Sequence, residues 1–255
     1  MDTQSQPYVS IIMPCYNSEK HINETIESIL KQTYEFFELI IVDDCSKDNT
    51  VELVKAYNDP RIKLIVSTEN GGAGKTRNIA LSNASFNFIA FIDADDVWLN
   101  NKLQLQMDYL LNNPDVDVIC TGYDFIDESS EQISGKVLPD TEISLNSYMR
   151  NTCIGCSTAL INKKNKGEFK FSEIRLRQDT HLWISLLIKG YNINGLQDIL
   201  VQYRIRKNQI SGNKVNAAIK TFKLYWGFKE LSAPQRIINF LFYAINGVTK
   251  RLNKG

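Results

Sequence analysis

Four short apolar runs, separated by segments of helical period, most constrain how this chain can fold. Val9 to Met13, Leu39 to Val42, Ile62 to Val66 and Phe88 to Ile92 each have the length and the β-branched content of a buried strand. Between them Ile22, Ile26, Ile29 and Leu30 recur at helical spacing, and Val51 to Tyr57 and Thr76 to Asn83 read as two further helices. Strand and helix in such alternation predict three consecutive βαβ units, hence a central, mostly parallel sheet flanked by helices: an α/β fold.

Beyond Asp96 the rhythm changes. A helix is predicted over Lys102 to Asn112, ending near Pro114, and strands over Val116 to Thr121, Ala159 to Asn162 and Ile199 to Arg206. Asp179 to Lys189 reads as a helix between the last two strands, and the polar stretch Asp124 to Asp140, with Gly135 and Pro139, as a loop or irregular hairpin. Two helices, Asn216 to Glu230 and Pro234 to Lys250, fall outside the alternation. The expected division is an α/β domain over 1–211 and a C-terminal helical extension over 212–255.

With 255 residues, 43% hydrophobic and 23% charged, the chain can bury a large core and does not have the composition of a disordered one. A formal net charge of zero speaks against nucleic acid as a partner. Cys15, Cys45, Cys120, Cys153 and Cys156 form an odd set with no secretory signal before them, and read as buried free thiols in a reducing cytoplasm. The Cys153–Cys156 pair lacks the second pair or histidine that a structural zinc site needs. No stretch approaches the roughly 20 apolar residues of a membrane span.

In an open parallel sheet, ligands bind beyond the carboxyl ends of the strands. Asp93-Ala94-Asp95-Asp96 follows the fourth strand, and three carboxylates so close repel unless a cation lies among them. Mn²⁺ or Mg²⁺, its shell completed by a substrate diphosphate, is the natural occupant; an acidic turn capping the next helix is the alternative. Asp43 and Asp44 end the second strand, and an aspartate there can accept the ring N–H of a uracil or thymine. Pro14, Tyr16 and Asn17 form the loop after the first strand, where the tyrosine either stacks on a base or packs on its neighbours.

Asn70 to Thr76 resembles a phosphate loop without being one, because the first glycine of a Walker A pattern would fall on Glu69. The dinucleotide fingerprint belongs in the first βα turn, which here has no glycine. These glycines either let the backbone approach a ligand, with Lys75 and Arg77 offering charge to phosphates, or form a plain turn starting the helix at Thr76. Downstream, Asp179 is either a helix N-cap or a general base. His181 is a rival base or points away, and His21, opening an amphipathic helix, is expected at the surface.

Taken in order, PCYN at Pro14 to Asn17, IIVDDCSKD from Ile40 to Asp48, NGGAGKTRNIA from Asn70 to Ala80, DADD from Asp93 to Asp96 and RQDTHLW from Arg177 to Trp183 resemble the family-2 glycosyltransferases of GT-A fold. The resemblance runs from about Val9 to Arg206 and is nearest to enzymes that assemble bacterial surface polysaccharides such as teichuronic acid, capsule or O-antigen. It implies an inverting transfer of a hexose-type sugar from a UDP-sugar or related donor to a hydroxyl of a lipid-linked saccharide. By position it implies that Tyr16 stacks on uracil, Asp44 accepts its ring N–H, Asp93 contacts the ribose or the metal shell, and Asp95 ligates the metal. Asp179 would be the catalytic base, and Arg204 and Arg206 with Ser211 a basic loop closing over the diphosphate. Many relatives carry Glu-Asp where this chain has Gln178-Asp179, so the first acid of that pair is missing here and the base is kept. Outside this family, a sugar nucleotidyltransferase and an inactive carbohydrate-binding relative are the rival readings; the former wants a glycine- and arginine-rich first loop that Pro14 to Ser18 does not supply.

The last helix carries Ile237, Ile238, Phe240, Leu241, Phe242, Tyr243, Ile245 and Val248 and ends among Lys250, Arg251 and Lys254. That pattern suits peripheral contact through 234–254 with the inner face of the cell membrane, or else packing on the catalytic domain or on a second subunit.

Overall fold

The computed structural model describes residues 6–206 and 214–252. Strands β1 (Val9–Cys15), β2 (Phe37–Asp43), β3 (Ile62–Val66) and β4 (Phe88–Phe91) alternate with helices α1 (Ile22–Leu30), α2 (Thr50–Lys55) and α3 (Ala73–Ser82). β1 pairs in parallel with β2 on one side and β4 on the other, and β2 pairs with β3. The order 3-2-1-4 changes direction at β1, and a crevice opens at the carboxyl ends where it does. Every residue of β1 is buried. Because side chains alternate across a sheet, Ile12, Ile40 and Phe91 enter one core while Ile11, Leu39 and Ile41 enter the other, which is why these strands read as unbroken apolar runs.

The second half enlarges this sheet and makes it mixed. β9 (Leu160–Asn162) lies antiparallel between β4 and β6 (Val118–Ile126), and β10 (Ile193–Arg204) runs parallel to β6. β5 (Val97–Trp98), β7 (Gln132–Val137) and β8 (Glu142–Ile143) pair antiparallel with β10, β6 and β10 respectively. Helices α4 (Lys102–Asn112), α5 (Leu145–Asn151), α6 (Gln178–Ile188), α7 (Lys214–Gly227) and α8 (Ala233–Leu252) complete the architecture.

The stretch 124–140 takes the second of its two expected forms, an irregular hairpin, with β7 folding back on β6 through a turn closed by the Asp127 N–H to Glu131 hydrogen bond. Several other expectations change for identifiable reasons. β10 begins at Ile193, not Ile199; its register against β6 shifts between Gly195 and Ile199, and exposed Gln197 and Asp198 hide the alternation there. α5 has too few apolar positions to show a period, and a reciprocal cap between Ser144 and Ser147 starts it. His21 is buried rather than at the surface, and burial, Arg204 and Arg206 lower its imidazole pKa. All five cysteines are free; Cys45 alone among them is half-exposed.

The C-terminal helices dock on α5 and α6. Asn239 on α8 is buried, donates to Asn146 at 2.9 Å and accepts from Arg150 at 2.9 Å, while Arg177 donates to the Tyr243 hydroxyl at 2.9 Å. Ile237, Ile238, Leu241, Phe242 and Ile245 stay exposed on the other face of α8. Among the described residues no helix is long and apolar enough to cross a membrane. The expected domain boundary at 211 and 212, and Ser211 itself, lie outside the described residues.

Candidate active site

The three carboxylates after β4 serve three different ends. The Asp93 N–H donates to Ser157 Oγ at 3.0 Å, and the Asp93 carboxylate pairs with the buried guanidinium of Arg77. Arg77 thus orients Asp93 and does not reach out to phosphates, contrary to its expected role. Asp95 is largely buried and meets Arg206 Nη2 at 2.6 Å. Burial pushes its carboxyl pKa up, with Arg206 opposing and Asp93 adding to the shift. Asp96 is buried, accepts from Ser157 Oγ at 2.5 Å and from the Arg204 N–H at 3.0 Å, and is pushed well up by burial and by Asp95 and Asp93. It does not cap the next helix, whose N-cap is Asn101. Ala94 between them is buried.

Arg204 is also placed differently from the expectation that it binds donor. Its side chain is inaccessible to solvent, with Nε on the Asp95 carbonyl at 2.8 Å, Nη1 on the Asp127 carbonyl at 2.8 Å and Nη2 on Glu24 at 2.5 Å. It ties the acidic loop to the β6–β7 turn and to α1; the exposed basic group beside Asp95 is Arg206. Removing one partner of a buried ion pair costs about 3–5 kcal/mol, and Glu24 is part-exposed, so Arg204→Ala should cost about 3 kcal/mol. Urea unfolding reads the change; a donor-binding role without a structural one would leave stability within about 0.5 kcal/mol.

The crevice at the β1 and β2 ends is held by hydrogen bonds between loops. Asn17, in a left-handed conformation, receives the Lys47 N–H on Oδ1 at 2.8 Å and gives its own N–H to Ser46 Oγ at 2.8 Å. Tyr16 beside it is 48% exposed, its ring open to a flat ligand. Pro14 is buried in β1, aligned with Val42 of β2. Asp44 accepts the N–H groups of Gly71 and Gly72, both at 2.8 Å, and so fixes the glycine turn. Lys75, half-buried, pairs with Glu69 at 2.5 Å.

Gly72 caps α3 with φ at +81°, and a Cβ on Gly74 would stand 2.4 Å from the Ser172 carbonyl. The glycines therefore start α3 at Ala73, earlier than expected, and let it pack tightly against the chain leading to α6. Asp44→Ala removes two charge-assisted bonds, so it is expected to destabilise by about 2–3 kcal/mol, which chemical denaturation reads.

A cavity of about 350 Å³ joins the two halves of the chain. Asp93 lines it together with Asp179, Arg177, Tyr123, Tyr203 and Lys220. Asp179 is the second residue of α6, not its cap: the N-cap is Arg177 in a left-handed conformation, and Asp179 accepts the Thr180 N–H at 2.7 Å. His181 faces elsewhere, packed on the Phe228 ring at 4.9 Å between centroids and lining a separate groove. Tyr123, Tyr203 and Ser157 escaped the sequence reading. The tyrosines meet because β6 and β10 are neighbours, with ring centroids 5.8 Å apart; Ser157 sits on a short 3-10 turn, Cys156–Thr158, with no periodic signal.

Among the described residues no group of three His, Cys, Asp or Glu side chains stands ready to hold a metal by itself. Mn²⁺ and Mg²⁺ in nucleotide sites take one or two carboxylates and fill the shell with phosphate oxygens and water. Largely buried Asp95, crowded by Asp93 beside it, supplies that all-oxygen set, and burial outweighs Arg206 in raising its pKa, so the residues fit a further cation.

The model of the family described as glycosyl transferase family 2 matches residues 10–166, more than half of the chain. The chain belongs to the family-2 glycosyltransferases. Asp44, Asp93 and Asp95 fall within the matched stretch, and Asp179 follows it. The chain is 36% identical to the Bacillus subtilis protein TuaG, assigned as a glycosyltransferase of teichuronic acid biosynthesis, over 98% of this chain and 100% of that one. It is 37% identical to WfgD of Escherichia coli, a UDP-Glc:α-D-GlcNAc-diphosphoundecaprenol β-1,3-glucosyltransferase, over 95% and 94%. The fold is GT-A, as the sequence led us to expect. Staphylococcus aureus TarS 1-349 in complex with UDP superposes with a TM-score of 0.70 at 23% identity, over 93% of this chain and 70% of that one. A mannosyltransferase from Pyrobaculum calidifontis in complex with GDP-Man and Mn²⁺ does so with a TM-score of 0.70 at 18% identity, over 94% and 70%. Family membership sets aside the nucleotidyltransferase reading.

Proposed function

We propose that this glycosyltransferase moves a hexose-type sugar from a UDP-sugar, with inversion, to a hydroxyl of a growing lipid-linked saccharide of a bacterial surface polysaccharide. The observation that carries the reading is that Asp93, from the acidic loop after β4, and Asp179, from α6, line one cavity. Support for donor and acceptor classes comes from the name of WfgD, which specifies UDP-Glc and a diphosphoundecaprenol-linked sugar.

In this reading Tyr16 stacks on the uracil, and Asp44, whose oxygens each retain a lone pair beyond the bonds to Gly71 and Gly72, accepts the ring N–H. Asp95 would hold Mn²⁺ or Mg²⁺ with Asp93 in its shell; the ion's chemistry is to neutralise charge developing on the leaving diphosphate. Arg206 replaces Arg204 as the cation beside that group, and Lys75 at the mouth of the glycine turn adds charge. Asp179 takes the proton of the acceptor hydroxyl as its oxygen bonds to the anomeric carbon, and the bond from that carbon to the diphosphate oxygen breaks. The exposed apolar face of α8 brings the enzyme to the cytoplasmic membrane surface, where a lipid-linked acceptor resides.

Incubation with UDP-glucose, Mn²⁺ and GlcNAc linked through diphosphate to a short polyprenol should yield a disaccharide whose new linkage is β by proton NMR, the donor being α. A product with α linkage would contradict the mechanism.

A further inference from the structure

A second concavity, of about 580 Å³, runs between the chain at 172–176 and helices α6 and α7. Its floor is apolar, from Ile174, Leu224 and Phe228, and three cationic side chains, Arg175, Lys220 and Lys223, line it. No carboxylate lines it, and none of these three cations has an ion pair, among the described residues. Leu176 and Lys220 also line the cavity holding Asp93 and Asp179, so the two spaces adjoin across these side chains. On α7, positions 220, 223, 224 and 227 share the groove face, as helical spacing requires. Exposed Ile219, Phe222 and Trp226 form the adjoining face, with Phe222 packed on Phe240 of α8 at 5.0 Å between centroids.

An apolar trough with cations and no anions fits a negatively charged amphiphile. We propose that this groove is the acceptor's lipid-diphosphate subsite. Lys220, Lys223 and Arg175 pair with the diphosphate of a polyprenyl-diphosphate saccharide, and the first isoprene units lie on Ile174, Leu224 and Phe228. The sugar then reaches past Leu176 and Lys220 to Asp179, and the tail leaves across the exposed face of α7 and α8. The inference rests on the lipid-linked acceptor reading and adds the surface that would serve it. Diphosphate and chain each contribute: ion pairs at an exposed site are weak alone, and apolar burial supplies the remainder.

The test uses farnesyl diphosphate as probe and calorimetry on the full chain, with UDP and Mn²⁺ saturating so that the donor site is filled. Saturable binding is expected, at least tenfold tighter than that of farnesol or inorganic diphosphate. Binding should weaken at least tenfold in the double variant Arg175→Glu/Lys223→Glu, with unchanged melting temperature, and should persist in Lys136→Glu, a reversal on exposed β7. No binding under these conditions, or equal binding by the double variant, would overturn the subsite. So would a chain that is dimeric by light scattering and becomes monomeric in the double variant without ever binding the probe, since a second copy would then cover the groove. Probe binding that meets these criteria in a chain that transfers no sugar to any lipid-linked acceptor would uphold the subsite and sink the transfer reading instead.

Discussion

Asp179→Asn is expected to lower kcat for sugar transfer by about 10²–10⁴-fold, the usual contribution of a positioned general base, and to leave the donor KM within about threefold. Asparagine keeps the shape and the hydrogen bond from the Thr180 N–H but cannot take the acceptor proton. The split between kcat and KM separates two roles: a carboxylate that merely started α6 would cost stability and leave turnover alone. Here Arg177 occupies the N-cap and Asp179 lines the cavity, so turnover should carry the loss.

The second large effect is that of Asp95→Ala. Loss of the carboxylate that principally holds the metal should lower kcat/KM by at least about 100-fold, which corresponds to about 3 kcal/mol of lost transition-state stabilisation. Raising the Mn²⁺ concentration should recover part of it, because Asp93 and the diphosphate remain as ligands. Stability should move the opposite way. In the folded chain burial and Asp93 raise the Asp95 carboxyl above its ordinary pKa, so at neutral pH its charge opposes folding, and it adds to the repulsion on buried Asp96. The variant is therefore expected to melt at or above the parent's temperature while losing activity, the trade-off of a site that stores unfavourable charge for its ligand.

How much of this was legible in the sequence follows from how each signal is encoded. The four parallel strands are buried on both faces, so Val9 to Met13 and Leu39 to Val42 announce themselves as unbroken apolar runs. β5 and β8, two residues each, carry too little pattern to be seen, and β10 is interrupted by a shift in register that alternation cannot survive. The acidic loop and Asp179 were visible as residue types at strand and helix ends. Their meeting in one cavity was not, because it depends on β9 running antiparallel between β4 and β6 and on β10 returning beside β6. The arginines were misassigned for a related reason. Sequence shows a cation near an acidic loop, but only packing shows that Arg77 and Arg204 are spent on Asp93 and Glu24 while Arg206 stays at the surface.

The proposal that Asp95 and Asp179 act in one metal-assisted donor and acceptor site is tested most directly by UDP release from a panel of UDP-sugars, assayed with a diphosphate-linked polyprenyl saccharide present. Release from at least one donor is predicted, requiring Mn²⁺ or Mg²⁺, abolished by EDTA, and reduced by at least about 100-fold in both Asp95→Ala and Asp179→Asn. Release at the parent rate by either variant, or undiminished in EDTA, would contradict it.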